Sequence, residues 1–113
     1  MTPCYVLIPL AYNDGTRVEK EIREKILDEF FIEFNGYTID GIKRGAYRRH
    51  DTGEKQVEVT QRICVLVDGE EGVRKLRALL ADIGRLLGQE FMYFEVATGS
   101  TVEFVPPSQK GGQ

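Results

Sequence analysis

Three observations in this sequence predict an α+β fold. Two stretches repeat apolar residues at helical spacing, and four runs are rich in β-branched and aromatic residues. A Gly-containing turn joins the second of these runs to the third, so the predicted order is β-α-β-β-α-β.

Cys4 to Leu10 is the first strand. Cys4, Val6, Ile8 and Leu10 line one face and Tyr5, Leu7 and Pro9 the other, the pattern of a central strand covered on both sides. Pro9 lacks an N–H and is expected at the strand end or a bulge. Asn13-Asp14-Gly15 is a turn, and Thr16-Arg17-Val18-Glu19 has the form of a capping box. The helix that follows repeats Val18, Ile22, Ile26, Phe30 and Phe34, with Leu27 and Phe31 widening the stripe, and Asn35-Gly36 ends it.

Tyr37 to Arg49 is a second strand interrupted by Gly41 and Gly45, which suggest bulges or a close backbone approach. His50 to Glu54 is the hairpin tip. Gln56 to Val67 returns with Val57, Val59, Ile63, Val65 and Val67 on one face. Glu58, Thr60, Arg62, Cys64 and Leu66 lie on the other. The acidic turn Asp68-Gly69-Glu70-Glu71 opens the second helix, which carries Val73, Leu76, Leu80, Ile83 and Leu87, tolerates Gly84 and closes at Gly88. Phe91 to Val96 is the fourth strand, and Thr101 to Val105 reads as a short return strand forming a C-terminal β-hairpin arm.

This order is the split βαβ unit, a ferredoxin-like βαββαβ sandwich: a four-stranded antiparallel sheet with two helices on one face. Right-handed crossovers put the first and third strands in the centre. The domain is expected over residues 1–105, with 106–113 a flexible polar tail.

The chain has 113 residues, 42% hydrophobic and 29% charged, with a net charge of −3 and a pI near 5.2. That is an ordinary globular balance without a global basic field for nucleic acid or an anionic membrane. A core of this size leaves no room for a large enclosed cavity, so a sizeable site is expected in a cleft, on a sheet face or at a subunit interface. The N-terminal apolar run lacks the flanks of a leader and is too short to span a bilayer, and a cytoplasmic protein is expected. Cys4 and Cys64 read as free thiols in a reducing compartment. If the first and third strands are neighbours, their sulfurs come within reach of an adventitious bridge. No metal-ligand spacing, phosphate loop or nucleophile motif occurs, and no cofactor or metal is implied.

The uncovered sheet face is expected to carry Tyr5, Leu7 and Pro9, or their neighbours, with Arg62, Cys64, Leu66, Tyr93 and Glu95. An apolar, ionisable face of this kind predicts a homodimer, through the open face or an edge strand, with Thr101 to Val105 a candidate for edge pairing in trans. Glu58, Arg62, Tyr93 and Glu95 are candidates for binding a small polar ligand or transferring protons, as in the dimeric α/β-barrel enzymes built on this fold. Their plain structural alternative is a cross-strand ion-pair ladder. Lys43, Arg44, Arg48 and Arg49 around Tyr47 are candidates for gripping nucleic acid, but alternating Arg and Lys is also the standard device by which an edge strand resists aggregation, and that reading is preferred. His50 reads as part of a solvated turn beside Asp51.

Gly36-Tyr37-Thr38, Gly45-Ala46-Tyr47-Arg48, Gly53, Glu58 and Leu87-Gly88-Gln89-Glu90 together resemble a pattern found in a group of small uncharacterised bacterial and mobile-element proteins. That pattern is a Gly-x-Thr turn, a Gly-x-Trp-Arg strand, a glycine hairpin, an acidic third strand and a Phe/Leu-Gly-Gln-Glu entry into the last strand. Tyr47 stands where the pattern has tryptophan. The resemblance implies a ferredoxin-like fold, brings no activity, and marks Tyr47, Glu58, Gln89 and Glu90 as the positions to mutate first.

The leading expectation is a small dimeric binding or regulatory protein without catalysis of its own, from a phage, plasmid or accessory locus. A small-molecule enzyme of the dimeric α/β-barrel kind is the alternative. A nucleic-acid module using Arg44, Tyr47, Arg48 and Arg49 is the third reading.

Overall fold

A computed structural model of the chain describes residues 1–100 and 102–108. Its elements are β1 (Thr2–Pro9), α1 (Lys20–Phe34), β2 (Thr38–Arg48), β3 (Lys55–Val67), α2 (Gly69–Leu86) and β4 (Phe94–Val96). The strands form one antiparallel sheet in the order β2-β3-β1-β4. Two βαβ crossovers, through α1 and through α2, produce this order, and the α+β ferredoxin-like fold is the one the element order predicts.

The pleat decides which residues meet the helices. Cys4, Val6 and Ile8 of β1 and Ile63, Val65 and Val67 of β3 are buried with Ile26 and Phe30 of α1 and Leu76, Leu80 and Ile83 of α2. Phe30 is fully enclosed and is the largest such side chain. β1 stops at Pro9, where the missing N–H costs no ladder bond.

Several local expectations are corrected. The Thr16–Glu19 capping box does not form. The Thr16 hydroxyl turns back to Asp14, the Tyr12 hydroxyl donates to Glu19, and α1 begins at Lys20 without a side-chain cap. At the other end Asn35, not Gly36, takes the left-handed conformation (φ 66°). Cys4 pairs with Val65 while Cys64 pairs with Tyr5, so the two thiols sit on opposite faces of the sheet and no bridge joins them. Burial pushes both thiols up from their ordinary value. Residues 102–108 carry no strand, so the return strand is not formed within the described residues, and Thr101 at its start lies outside them, as do residues 109–113 of the tail.

β3 is longer than its central neighbour. Thr60–Val67 pair with β1 and the Val59 carbonyl still accepts the Leu10 N–H at 3.0 Å, but Lys55–Glu58 pair only with Gly45–Arg48 of β2. The end of the hairpin is therefore a two-stranded arm projecting past the rest of the sheet. Val57 and Val59 have the parity of the buried face yet remain 47% and 41% exposed, because the helices do not reach the arm.

Candidate active site

The face of the sheet away from the helices carries two constructions that share Tyr93. One is a ladder across all four strands. β2 has a register shift between Ile39 and Ile42, which leaves Asp40 and Gly41 together opposite Arg62. Gly41 absorbs this bulge at φ 94°, a value that favours glycine, and Asp40 is thereby presented to Arg62. Arg62 Nε lies 2.9 Å from Asp40 Oδ2, and Nη2 lies 3.6 Å from Glu95 Oε1. The guanidinium carbon stands 4.0 Å from the centre of the Tyr5 ring. The Tyr93 hydroxyl donates to Glu95 at 2.9 Å, and this bond holds the Tyr93 phenol above its ordinary range.

The second construction is a cavity of about 910 Å³ between the hairpin arm and the segment 88–93 that leads into β4. Leu7 and Pro9 at the end of β1 form its floor. Gln56, Glu58 and Thr60 of β3 and Tyr47 of β2 form one wall, and Gln89 to Tyr93 the other. Arg49, His50 and Asp51 close the end at the tip of the arm. The site is a cleft, as a chain of this size requires.

Glu58 faces Gly45 across the β2–β3 ladder. A Cβ built on Gly45 would come within 2.6 Å of the Tyr47 hydroxyl and 2.9 Å of its ring carbons. The absence of a side chain at Gly45 thus lets the Tyr47 ring fold back along the strand, over the residue that pairs with Glu58. Burial alone pushes the Glu58 carboxyl up from its ordinary value. Tyr47 and Tyr93 line the same cavity. Met92 and Phe91 add apolar surface, and the Phe91 ring is tilted against His50 with centroids 5.1 Å apart.

The wall at 88–93 is fixed by its own contacts. Asn13 Nδ2 donates to the Gly88 carbonyl at 3.0 Å, and Gln89 Nε2 donates to Asn13 Oδ1 at 3.2 Å. The Met92 side chain lies where a Cβ on Gly84 would stand, 2.8 Å away, so the glycine inside α2 has a packing reason. Glu90 lies near enough to Arg49 to raise its pKa, after the larger effect of Asp51.

The structure brings Tyr47, Glu58, Gln89, Glu90 and Tyr93 onto one cavity and leaves Arg62 and Glu95 outside it, in the ladder. Gln89 spends its amide on Asn13 and Leu87 and so acts as a tie. His50, read as a solvated turn residue, packs on Phe91 at the cavity rim. The basic stretch does not converge. Lys43 pairs with Thr60 and Arg44 with Val59, on opposite faces, while Arg48 bonds the Gly53 carbonyl at 2.8 Å and Arg49 pairs with Asp51 at 2.7 Å. Hydrogen bonding to Arg49 holds the Asp51 carboxyl down to about 2. Phe91, Met92, His50 and Asn13 were not singled out as site residues from sequence. Only the fold brings the 88–93 segment against the arm. Among the described residues no three His, Cys, Asp or Glu side chains group as a metal site, and no helix is long and apolar enough to cross a membrane.

No family model and no curated protein matches the chain. Among solved structures, a phage SAM lyase in complex with S-methyl-5'-thioadenosine is similar, with a TM-score of 0.66 and 16% identity over 84% of this chain and 78% of that one. The phage SAM lyase in its apo state gives a TM-score of 0.64 at the same identity and coverage. The likeness is one of fold. It counts against the expectation of a non-catalytic binding protein, because these two structures of similar fold are of an enzyme.

Proposed function

We propose that the chain is a lyase acting on a sulfonium substrate of the S-adenosylmethionine type at the cavity between the hairpin arm and residues 88–93. The observation that carries this reading is a partly desolvated carboxylate, Glu58, set among the aromatic rings of Tyr47, Tyr93 and Phe91 on a fold shared with a SAM lyase. A sulfonium is a cation without hydrogen-bond donors on sulfur, so carboxylates and aromatic faces are the groups that recognise it. The same rings, with Met92, offer surfaces on which a purine stacks.

In such a reaction the bond between sulfur and the amino-acid chain breaks and its electron pair goes to sulfur, which leaves as the neutral thioether S-methyl-5'-thioadenosine. The four-carbon remainder then balances its charge by giving up a proton or by closing on its own carboxylate. Glu58 attracts the sulfonium and, on the first route, takes the proton. Its raised pKa makes it a stronger base than an ordinary glutamate.

The test is direct. Purified protein incubated with S-adenosylmethionine should convert it to an equal amount of S-methyl-5'-thioadenosine, followed by liquid chromatography. Glu58→Gln should lower kcat/KM by roughly 10²–10⁴-fold, the usual worth of a positioned base. A folded wild-type protein that forms no S-methyl-5'-thioadenosine overturns the reading.

We further propose that the chain associates with copies of itself. The support is apolar surface left uncovered on the arm at Ile42, Val57 and Val59 and on α1 at Phe31 and Ile32.

A further inference from the structure

Arg62 has no place in the chemistry proposed above, yet it is the most heavily engaged side chain on the open face. Asp40, Arg62, Tyr5 and Glu95 come from β2, β3, β1 and β4, one residue from each strand in the order in which the strands lie. The Arg62 side chain is only 23% exposed. Isolated ion pairs at a surface contribute little to stability, so the fold alone gives weak reason for a ladder that needs a glycine bulge to deliver Asp40. What the ladder does accomplish is orientation. The Glu95 oxygen that pairs with Arg62 is the same oxygen that accepts the Tyr93 hydroxyl, and Tyr93 is a wall of the cavity.

We infer that Arg62 is a positioning residue for the proposed active site: it anchors Glu95, and through Glu95 it fixes the ring of Tyr93 against the bound substrate. Tyr93 is about half exposed and precedes β4, so packing alone does not hold its ring. Tethering the hydroxyl at the far end of the side chain selects one orientation before substrate arrives, which lowers the ordering cost of binding. Because Arg62 acts through Tyr93, its loss weakens substrate binding more than it slows bond cleavage. This inference rests on the cavity being the substrate site.

A mutant cycle with S-adenosylmethionine as substrate tests it. Arg62→Ala should raise KM about tenfold while kcat falls less, inside the hundredfold that a small misplacement can cost. In a Tyr93→Phe background, which lacks the tether, Arg62→Ala should add nothing. Full additivity of the two substitutions overturns the inference. A second measurement does not depend on turnover. In protein labelled with ¹³C-tyrosine, the Tyr93 ring signals, assigned by their loss in Tyr93→Phe, should shift and broaden in Arg62→Ala. They should do the same in Glu95→Gln, which keeps the shape of the side chain if Arg62→Ala fails to fold. Unchanged ring signals overturn the inference whatever the kinetics give. A wild-type protein without lyase activity would overturn the proposed function instead, and the ring signals would then decide alone whether Arg62 holds Tyr93.

Discussion

Gly45, Tyr47 and Glu58 form the smallest unit of the site. Two residues along β2 and one across the ladder create it, with Gly45 vacant so that the Tyr47 ring can occupy its space. Gly45→Ala should therefore displace Tyr47 with little harm to the strand, and calorimetric titration with S-methyl-5'-thioadenosine should show affinity about tenfold lower, the loss of one aromatic contact of roughly 1–1.5 kcal/mol. Glu58 makes a prediction of opposite kind. A carboxyl pushed up by burial binds its proton more tightly in the folded chain than in the unfolded one. The stability it contributes is complete below the ordinary glutamate pKa and declines as pH rises through the folded value. Glu58→Gln should consequently be more stable than wild type in urea at about pH 7, and equal to it at about pH 3.5. A Glu58→Gln protein less stable at neutral pH would mean that the carboxylate is paired and not merely desolvated. Stabilisation with loss of activity is what a functional carboxylate predicts.

At the scale of the element, the alternation of β1 and β3 was readable directly, since residues two apart share a face and the buried set is apolar. The helical stripe was readable because residues three and four apart share a face of a helix, and it places Ile26 and Phe30 in the core. Phe30→Ala should cost about 3–5 kcal/mol, measured by urea denaturation, a large fraction of the stability of a domain this small. Glycines signalled irregularity in β2 but not its consequence. That the Gly41 bulge aims Asp40 at Arg62 depends on the partner strand, which local sequence does not contain. Gly41→Ala should cost roughly 1–2 kcal/mol from the left-handed backbone alone. The false capping box has a similar origin. Thr16 and Glu19 have the right spacing, but Asp14 and Tyr12 compete for their side chains more effectively than the backbone does.

At the scale of the whole molecule, the order of elements determined the sheet, because few topologies satisfy short connections and right-handed crossovers. The candidate site was half legible. Tyr47 and Glu58 lie on strands whose pairing the hairpin dictates, whereas Phe91, Met92 and Asn13 meet them only through the path of the chain from α2 to β4. The length of the arm was hidden too, since nothing in β3 marks where β1 stops accompanying it. That length has the last consequence. Ile42, Val57 and Val59 are exposed among Arg44, Arg48 and Lys55, while Phe31 and Ile32 on α1 are exposed beside Asp28 and Glu29, Glu33 being paired with Lys75. The two apolar surfaces are flanked by opposite charges, so the arm of one copy suits α1 of another, with apolar contact at the centre and charge pairing at the rim. Sedimentation at tens of micromolar should give a mass that is a multiple of the 12.8 kDa chain, falling on dilution. Val57→Glu puts a carboxylate that must be desolvated into the centre of that contact, against the acidic flank of α1, and should return the protein to the monomer mass without unfolding it, since Val57 lies outside the core. A wild-type chain that sediments at 12.8 kDa throughout this range would overturn the self-association proposed for the arm's apolar face.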